Sequence, residues 1–468
     1  MKIQQVYTSC LAQGAYYIES NGESAIIDPL RETQPYLSIA EKNNTTIKYV
    51  FETHFHADFV SGHIDLAKKT GATIVFGPNA KTDYDIHSAF NGEEFKIGNI
   101  RIKAIHTPGH TLESTCYLLI DENGENRAVF SGDTLFLGDV GRPDLAIKSD
   151  LTKEDLAGML FDSLREKIMV LEDDVVVYPA HGAGSACGKK MSKETVGTIG
   201  EQKKTNYALR EDMTKDEFIK EVLDGIAPPP QYFQKNAMLN KQGYNNFDDI
   251  LQKGDIPLSP EQFEDYANHE SALVLDVRVQ SEYINAHIPN SIFIGLNGQF
   301  APWVGALITD LKQPIILVVP EGKSQEAITR LSRVGYDNTL GYLEGGIEAW
   351  KESGREVDTL ESISAEAFSK KLKTEHLNVL DVRRDGEFET KHLRKAQHFA
   401  LDNINTNMSE IVKDTEYHIH CAGGYRSVIA ASILKARGFQ NVIDVAGGFG
   451  AIKKTELTED DYSSKIEV

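Results

Sequence analysis

The stretch THFHADFVSGH, residues 53–63, sets His54, His56 and Asp58 at alternate positions behind the apolar run IKYVFE. His110 follows in TPGHT, Asp133 in SGDT and His181 in YPAHG. Imidazole and carboxylate are ligands that suit Zn, Fe or Mn, and two histidines with one carboxylate and open positions suit non-haem Fe(II). Any one of these residues taken alone reads equally as a packed core group. Four motifs in this order, each at a strand-to-loop transition, read together as a metal centre held by a rigid sheet. The spacing leaves His56 open as a ligand. His63 reads as a helix or surface residue.

A second chemistry sits near the other end. HIHCAGGYRS places Cys421 after an apolar run, and Ala422, Gly423, Gly424 and Tyr425 lead from it to Arg426 and the helical pattern SVIAASILKARG. A glycine-rich turn that opens a helix aims backbone N–H groups at one point and cradles an anion. A cysteine there has its thiolate stabilised, and Arg426 adds a fixed cation with bidentate reach. The loop is one residue shorter than the CX5R of tyrosine phosphatases, which suits a compact sulfur-bearing ligand. Cys187, in HGAGSACGK six residues after His181, is either a thiol that handles sulfur beside the metal or a small packed hydrophobe. Cys116 reads as buried in a strand and Cys10 as structural. The four cysteines include no CxxC pair, and scattered cysteines of this kind are expected as reduced thiols.

The chain that positions these groups has 468 residues, which predicts about three domains. Hydrophobic residues make up 41% and charged residues 25%, a globular profile. No apolar run approaches the ~20 residues needed to span a bilayer. The N-terminal stretch does not read as a signal peptide, so a cytoplasmic protein without a membrane partner is expected. The formal net charge of −21 argues against binding nucleic acid.

Residues 1–200 alternate short β-like runs, among them SAIID, FKIGNIRIKAIH, STCYLLI, RAVFSGD and DVVVYPAHG, with polar loops. The three prolines of GIAPPPQYF forbid helix, and residues 241–258 read as a linker. Beyond it the chain repeats itself. LVLDVRVQSEYINAHI matches NVLDVRRDGEFETKHL at an offset of 105, pairing Asp276 with Asp381, Arg278 with Arg383 and Glu282 with Glu387. SQEAITRLSRVGY matches SVIAASILKARGF at an offset of 103. Two copies, residues 259–356 and 361–455, each read as strand–helix–strand–helix, an α/β pattern. Extending the second offset sets Val318 opposite Cys421 and Lys323 opposite Arg426. The first copy is therefore expected to be catalytically silent, with a bridging, docking or dimerising role.

The set THFHAD, TPGHT, SGDT, GRPD and YPAHG resembles the metallo-β-lactamase fold, an αββα sandwich, over residues 1–240. Within that fold it looks like the persulfide dioxygenases of the ethylmalonic-encephalopathy type. The resemblance implies one Fe(II) per chain, held by His54, His110 and Asp133, with His56, Asp58 and His181 as outer partners that orient the ligands. Two-metal relatives of the glyoxalase II type carry a histidine where this chain has Phe59, so a second metal is not expected. Arg142, in GRPD, is a candidate to hold the substrate anion with Asp144 buttressing it, or else forms a structural ion pair. Tyr178 donates to substrate or packs.

LDVR…E…H, the Cys421 loop and GGF resemble the rhodanese sulfurtransferases. This implies Cys421 as the nucleophile that carries sulfane sulfur, with Arg426 and the loop amides as its anion site. The order of parts is similar to bacterial fusions of persulfide dioxygenase with rhodanese. The implied activity is oxidation of a thiol persulfide of the glutathione, coenzyme A or bacillithiol type by O2 to sulfite, coupled to sulfur transfer that yields thiosulfate. A homo-oligomer is expected. The alternative is a two-zinc thioester hydrolase with accessory rhodanese copies.

Overall fold

A computed structural model describes residues 1–145 and 151–464. The chain divides into two compact units, residues 1–248 with 331–335, and residues 249–330 with 336–468.

The first unit contains two six-stranded sheets. One runs in chain order from Lys2–Thr8 through Gln13–Ser20, Glu23–Ile27, Thr46–Phe51 and Thr73–Phe76 to His87–Ser88. The other runs from Gly197–Thr198 through Val176–Pro179, Asn126–Gly132, Thr115–Ile120 and Ile100–His106 to Glu94–Ile97. The run FKIGNIRIKAIH is a hairpin of two strands, since Gly98 turns the chain at φ +56°. Alternate residues of the strands face each other across the sandwich. Ile18, Ile27, Phe51 and Val75 from one sheet meet Ile102, Tyr117, Leu119 and Phe130 from the other. Each such buried side chain contributes about 1.5–3 kcal/mol.

Opposite residues of the same strands pack outward on helices. Cys116, Leu118, Val129 and Val177 meet Leu160 and Phe218 on Lys153–Ser163 and Lys215–Leu223. Tyr17, Ile26 and Val50 meet Tyr36 and Leu66 on Gln34–Lys42 and His63–Thr70. Burial on both faces explains why CYLLI, the run after Thr115, is apolar throughout. The result is the αββα layering. Helices after Thr152, Thr198 and Thr214 begin with capping boxes, in which the threonine hydroxyl takes an orphan N–H and an acidic residue three positions on returns the bond.

The second unit holds two parallel five-stranded sheets with one shared order. The first is Pro257–Leu258, Thr339–Leu343, Ile315–Val318, Leu273–Asp276, Ile292–Phe293. The second is Glu361–Ile363, Val442–Val445, Tyr417–His420, Asn378–Asp381, Ala396–His398. In each, the repeated Asp-x-Arg is a buried bidentate pair, Asp276–Arg278 and Asp381–Arg383. Each arginine also donates to a carbonyl eight residues on, Ala286 or Lys391, which pins the following helix.

Strand pairing corrects one correspondence. Asp276 lies beside Val318, and Asp381 lies beside His420. Val318 is thus the counterpart of His420, and Val319, not Val318, is the counterpart of Cys421. Ser324, the helix residue matched to Ser427, comes one residue sooner after Val318 than Ser427 does after His420, so an offset taken from the helix slips by one in the strand. The first copy still lacks a thiol at this position. The span read as a linker contains the helix Phe247–Gly254.

Candidate metal centre and cysteine site

His54, Asp133 and His181 all lie within three residues of a strand end, at one edge of the sandwich. Ligand atoms of His54, His110 and Asp133 come within 4.8 Å of one another, and all three residues are buried. Nε2 of His54 is 3.9 Å and Nε2 of His110 is 3.4 Å from the same oxygen, Asp133 Oδ2. Neither carboxylate oxygen of Asp133 has a hydrogen-bond partner among the described residues. A buried carboxylate left unpaired is costly unless a cation joins it, so this donor set fits a metal ion.

The other ring nitrogens are committed elsewhere. The Thr53 hydroxyl donates to Asp28 Oδ2 at 2.8 Å and so accepts from His54 Nδ1 at 2.9 Å. Nδ1 of His110 donates to the Arg142 carbonyl at 2.8 Å, and Nδ1 of His181 faces the Ala12 carbonyl at 3.3 Å. Each imidazole is thereby fixed in the tautomer that aims a bare Nε2 into the site. Burial, with His56, His110 and His181 nearby, holds His54 well below its ordinary value, so it is neutral, as a ligand must be.

His56 is different. Its Nε2 is turned to Asp28 Oδ1 at 3.1 Å and Glu52 Oε2 at 3.4 Å. Burial opposes its charge, yet these carboxylates raise it to about 9. It is protonated at neutral pH and serves as a cation under the ligand loop. Phe59 stacks on it with ring centres 4.2 Å apart. Asp58 and His181 face each other at 3.4 Å, and His181 reaches Asp133 Oδ1 at 3.6 Å. Burial and Asp133 push Asp58 up.

Cys187 is buried, with its sulfur grouped with Asp133 and His181. Burial, then Asp58 and Asp133, raises its thiol well above the ordinary range, so it stays protonated until a cation offsets those carboxylates. Its backbone carbonyl accepts from Arg142 N–H at 3.1 Å. Arg142 forms the ion pair with Asp144 that was the second of its two expected roles. Its guanidinium donates to both Asp144 oxygens at 2.7 Å and to the carbonyls of Ala186 and Ala227. It is a clamp, and its carbonyl orients His110. Tyr178 packs on Phe130 and Tyr16.

Several contributors escaped the sequence reading. Thr53 and Asp28 orient His54. Asn240, on the helix Phe233–Gln242, holds the carbonyls of His56 and Phe59 at 2.8 Å each. His63 opens a helix but is buried, between Glu52 at 3.4 Å and the Tyr84 hydroxyl at 2.7 Å. The signal for Thr53 was its place directly before the first ligand. Nothing local marked Asn240.

Cys421 follows the strand Tyr417–His420, and the helix Tyr425–Ala436 opens four residues later. The Gly424 N–H donates to Sγ at 3.1 Å. Gly424 takes φ +98°, which its lack of a Cβ permits. The GGF motif is the back of the loop: Phe449 and Gly450 N–H groups bind the carbonyls of Cys421 and Ala422. A Cβ on Gly448 would lie 2.4 Å from the Cys421 oxygen. Arg426, expected to form the anion site with the loop amides, makes a bidentate pair with Glu387 at 2.7 and 2.8 Å.

A buried histidine-carboxylate centre on an αββα sandwich, followed by two parallel α/β copies of which one carries a looped cysteine, defines a metal-binding enzyme with a sulfurtransferase-type module. The chain belongs to the metallo-beta-lactamase superfamily, matched over residues 10–181, and rhodanese-like domains match at residues 259–353 and 364–455. It is similar to a metallo-beta-lactamase from Staphylococcus aureus subsp. aureus COL, at 31% identity and TM-score 0.63, covering 73% of this chain and 98% of that one. It is 32% identical to the cytoplasmic hydroxyacylglutathione hydrolase of Arabidopsis thaliana over 39% of this chain and 67% of that protein. A further likeness is to ETHE1 from Myxococcus xanthus, at 28% identity and TM-score 0.44, covering 52% of this chain and 98% of that one. Among the described residues, no helix is long and apolar enough to cross a membrane.

Proposed function

We propose that the first unit is a mononuclear Fe(II) persulfide dioxygenase and that Cys421 transfers sulfane sulfur. The observation that carries this reading is the buried two-histidine, one-carboxylate set, with Phe59 stacked on His56 at the sequence position where the two-metal relatives of the resembled family carry a histidine. The net reaction is R–S–SH + O2 + H2O → R–SH + H2SO3, and a second persulfide with sulfite gives thiosulfate and the thiol. Iron bound by His54, His110 and Asp133 would supply open positions for O2 and for the soft terminal sulfur. The chain's own residues hold Nε2 of both histidines inward, keep His56 charged beneath them and place the buried Cys187 thiol beside Asp133 and His181. Candidate substrates are persulfides of the glutathione, coenzyme A or bacillithiol type. A cytoplasmic location and a homo-oligomeric state belong to the same proposal.

The test is O2 uptake by anaerobically purified, iron-loaded protein given glutathione persulfide or coenzyme A persulfide, with sulfite and thiosulfate quantified. Rapid uptake that is absent in Asp133→Ala supports the reading. No uptake at full iron occupancy with either donor refutes it.

A second reading has support of its own. Asp58, His181 and Cys187 gather beside the triad next to its Asp133, and the Arabidopsis relative is named a hydroxyacylglutathione hydrolase. A two-zinc thioester hydrolase would hold two Zn per chain and cleave thioesters without O2. Metal analysis separates the two readings.

A further inference from the structure

The silent copy has no thiol, yet it reaches the Cys421 site. The hydroxyl of Tyr425, the residue that opens the helix after the cysteine loop, donates to the Gly295 carbonyl of the silent copy at 2.7 Å. The Tyr425 ring lies on Gly298 so closely that a Cβ there would sit 2.3 Å from it. Phe293 of the same copy meets the Tyr425 ring at 5.8 Å, and its N–H donates to the Ser432 hydroxyl at 3.0 Å. The loop that carries the nucleophile is therefore seated on the copy that lost its own.

A cavity of about 550 Å³ opens at this seam. Cys421, Gly423, Arg426, Glu387 and Arg384 line one side. Gln280, Asn297, Gly298, Gln299 and Trp303, all from the silent copy, line the other. A water takes about 30 Å³ of liquid, so a five-atom oxyanion such as thiosulfate would need on the order of 100 Å³. The cavity is several times larger and lies within the ~300–1,000 Å³ of sites for small organic ligands. Its far wall is unlike an inorganic-anion site as well. Three carboxamides offer paired donors and acceptors, and the buried Trp303 ring has the Arg384 guanidinium 5.7 Å from its centre. Arg426, the residue after Tyr425, already has Glu387 as a bidentate partner, whereas the exposed Arg384 has the Trp303 ring and a single-contact ion pair with Asp402, at 3.4 Å, among the described residues.

The geometry points to the silent copy as the wall that selects the sulfur donor: it holds the organic part of a small peptide-like thiol persulfide while the terminal sulfur meets Cys421. The carboxamides of Gln280, Asn297 and Gln299 pair with the ligand's amide groups, Arg384 takes its carboxylate, and Trp303 covers its apolar stem. The inference rests on the reading of Cys421 as a sulfur carrier. In the step, the Cys421 thiolate attacks the terminal sulfur of R–S–SH. The donor S–S bond breaks, R–S⁻ leaves with its electron pair, and Cys421–S–SH forms with the donor's proton. No oxidant or reductant is consumed.

The experiment measures loading of Cys421 in the full-length protein, without O2, as the mass gain of one sulfur atom over time. The donors are glutathione persulfide, coenzyme A persulfide and thiosulfate. The wild type is expected to load from glutathione persulfide with saturation, at a second-order constant at least about tenfold above that for thiosulfate. S-methylglutathione, which carries no sulfane sulfur, should slow loading from thiosulfate competitively. Arg384→Ala with Gln299→Ala, both at exposed positions, should lower the glutathione persulfide constant about tenfold relative to that for thiosulfate. Trp303→Phe should lower the same ratio by a smaller factor.

An unchanged ratio in these variants, no protection by S-methylglutathione, or preference for coenzyme A persulfide overturns the proposed wall. No loading of the wild type from any donor overturns the reading of Cys421 itself, and the wall with it.

Discussion

Thr53→Val tests the logic of the metal centre at one atom. The side chain is buried, and valine nearly matches threonine in volume, so the change removes a hydroxyl and little else. That hydroxyl donates to Asp28 at 2.8 Å and accepts from His54 Nδ1 at 2.9 Å. Without it His54 loses the partner that fixes its tautomer and ring angle. Loss of such outer partners costs about 10–100-fold in metal affinity, or about 1.4–2.8 kcal/mol at ~1.4 kcal/mol per tenfold. Asp28 keeps the Thr53 N–H at 2.8 Å and His56 at 3.1 Å, both on Oδ1, while its Oδ2 loses the hydroxyl. The metal-free fold is therefore also expected to lose stability, within the ~1–3 kcal/mol for an unpaired buried group. Chelator competition gives the affinity and thermal unfolding of the metal-free protein gives the stability. Thr53→Ser, which keeps the hydroxyl, should bind metal as the wild type does. Wild-type affinity in Thr53→Val refutes the reasoning, as does an equal loss in Thr53→Ser. Gly132→Ala should resemble Thr53→Val, since its Cβ would lie 2.6 Å from the Thr53 side chain and Gly132 has φ +52°.

Other outcomes follow from the same geometry. Cys421→Ser should abolish sulfur transfer from thiosulfate to cyanide, while O2 uptake with a persulfide continues and product shifts from thiosulfate to sulfite. Gly298→Ala should press on the Tyr425 ring and lower sulfur transfer by about tenfold or more, with circular dichroism unchanged. Acid stability should separate the two copies. Burial raises Asp381, but His420 and the bidentate Arg383 outweigh it and hold the carboxyl below its ordinary 3.8. A depressed carboxyl contributes stability above its unfolded value and loses it as pH falls through the folded one. Asp381 should thus support the active copy until the pH is below 3.8. In the silent copy Val318 replaces the histidine, burial outweighs Arg278, and Asp276 is raised. Ionisation of a raised carboxyl costs stability, so acidification through its folded value stabilises the silent copy while the active copy still holds Asp381 ionised. Proton titration followed by NMR should find Asp276 above Asp381, and His420→Val should bring the two together.

Sequence alone determined the parts that depend on residue type and short spacing. Alternating apolar runs set the strands, repeated Asp-x-Arg segments set the two copies, and HxHxD with its three companion motifs marked the metal centre. These features are legible because a ligand must be one of few side chains and a buried strand must be apolar on the faces it hides. Tertiary structure decided what depends on where distant atoms meet. The tautomer of His110 is set by a carbonyl 32 residues away, and the ligand loop is held by Asn240, 184 residues beyond His56. Arg142 became a clamp because Ala186 and Ala227 carbonyls happen to face it. Ladder register moved the counterpart of Cys421 from Val318 to Val319, a shift that no comparison of helices could reveal. The silent copy acquired a role only when Gly295 and Gly298 came to lie against Tyr425. Backbone carbonyls and glycine gaps carry no side-chain signature, so contacts built from them appear only once the chain has folded.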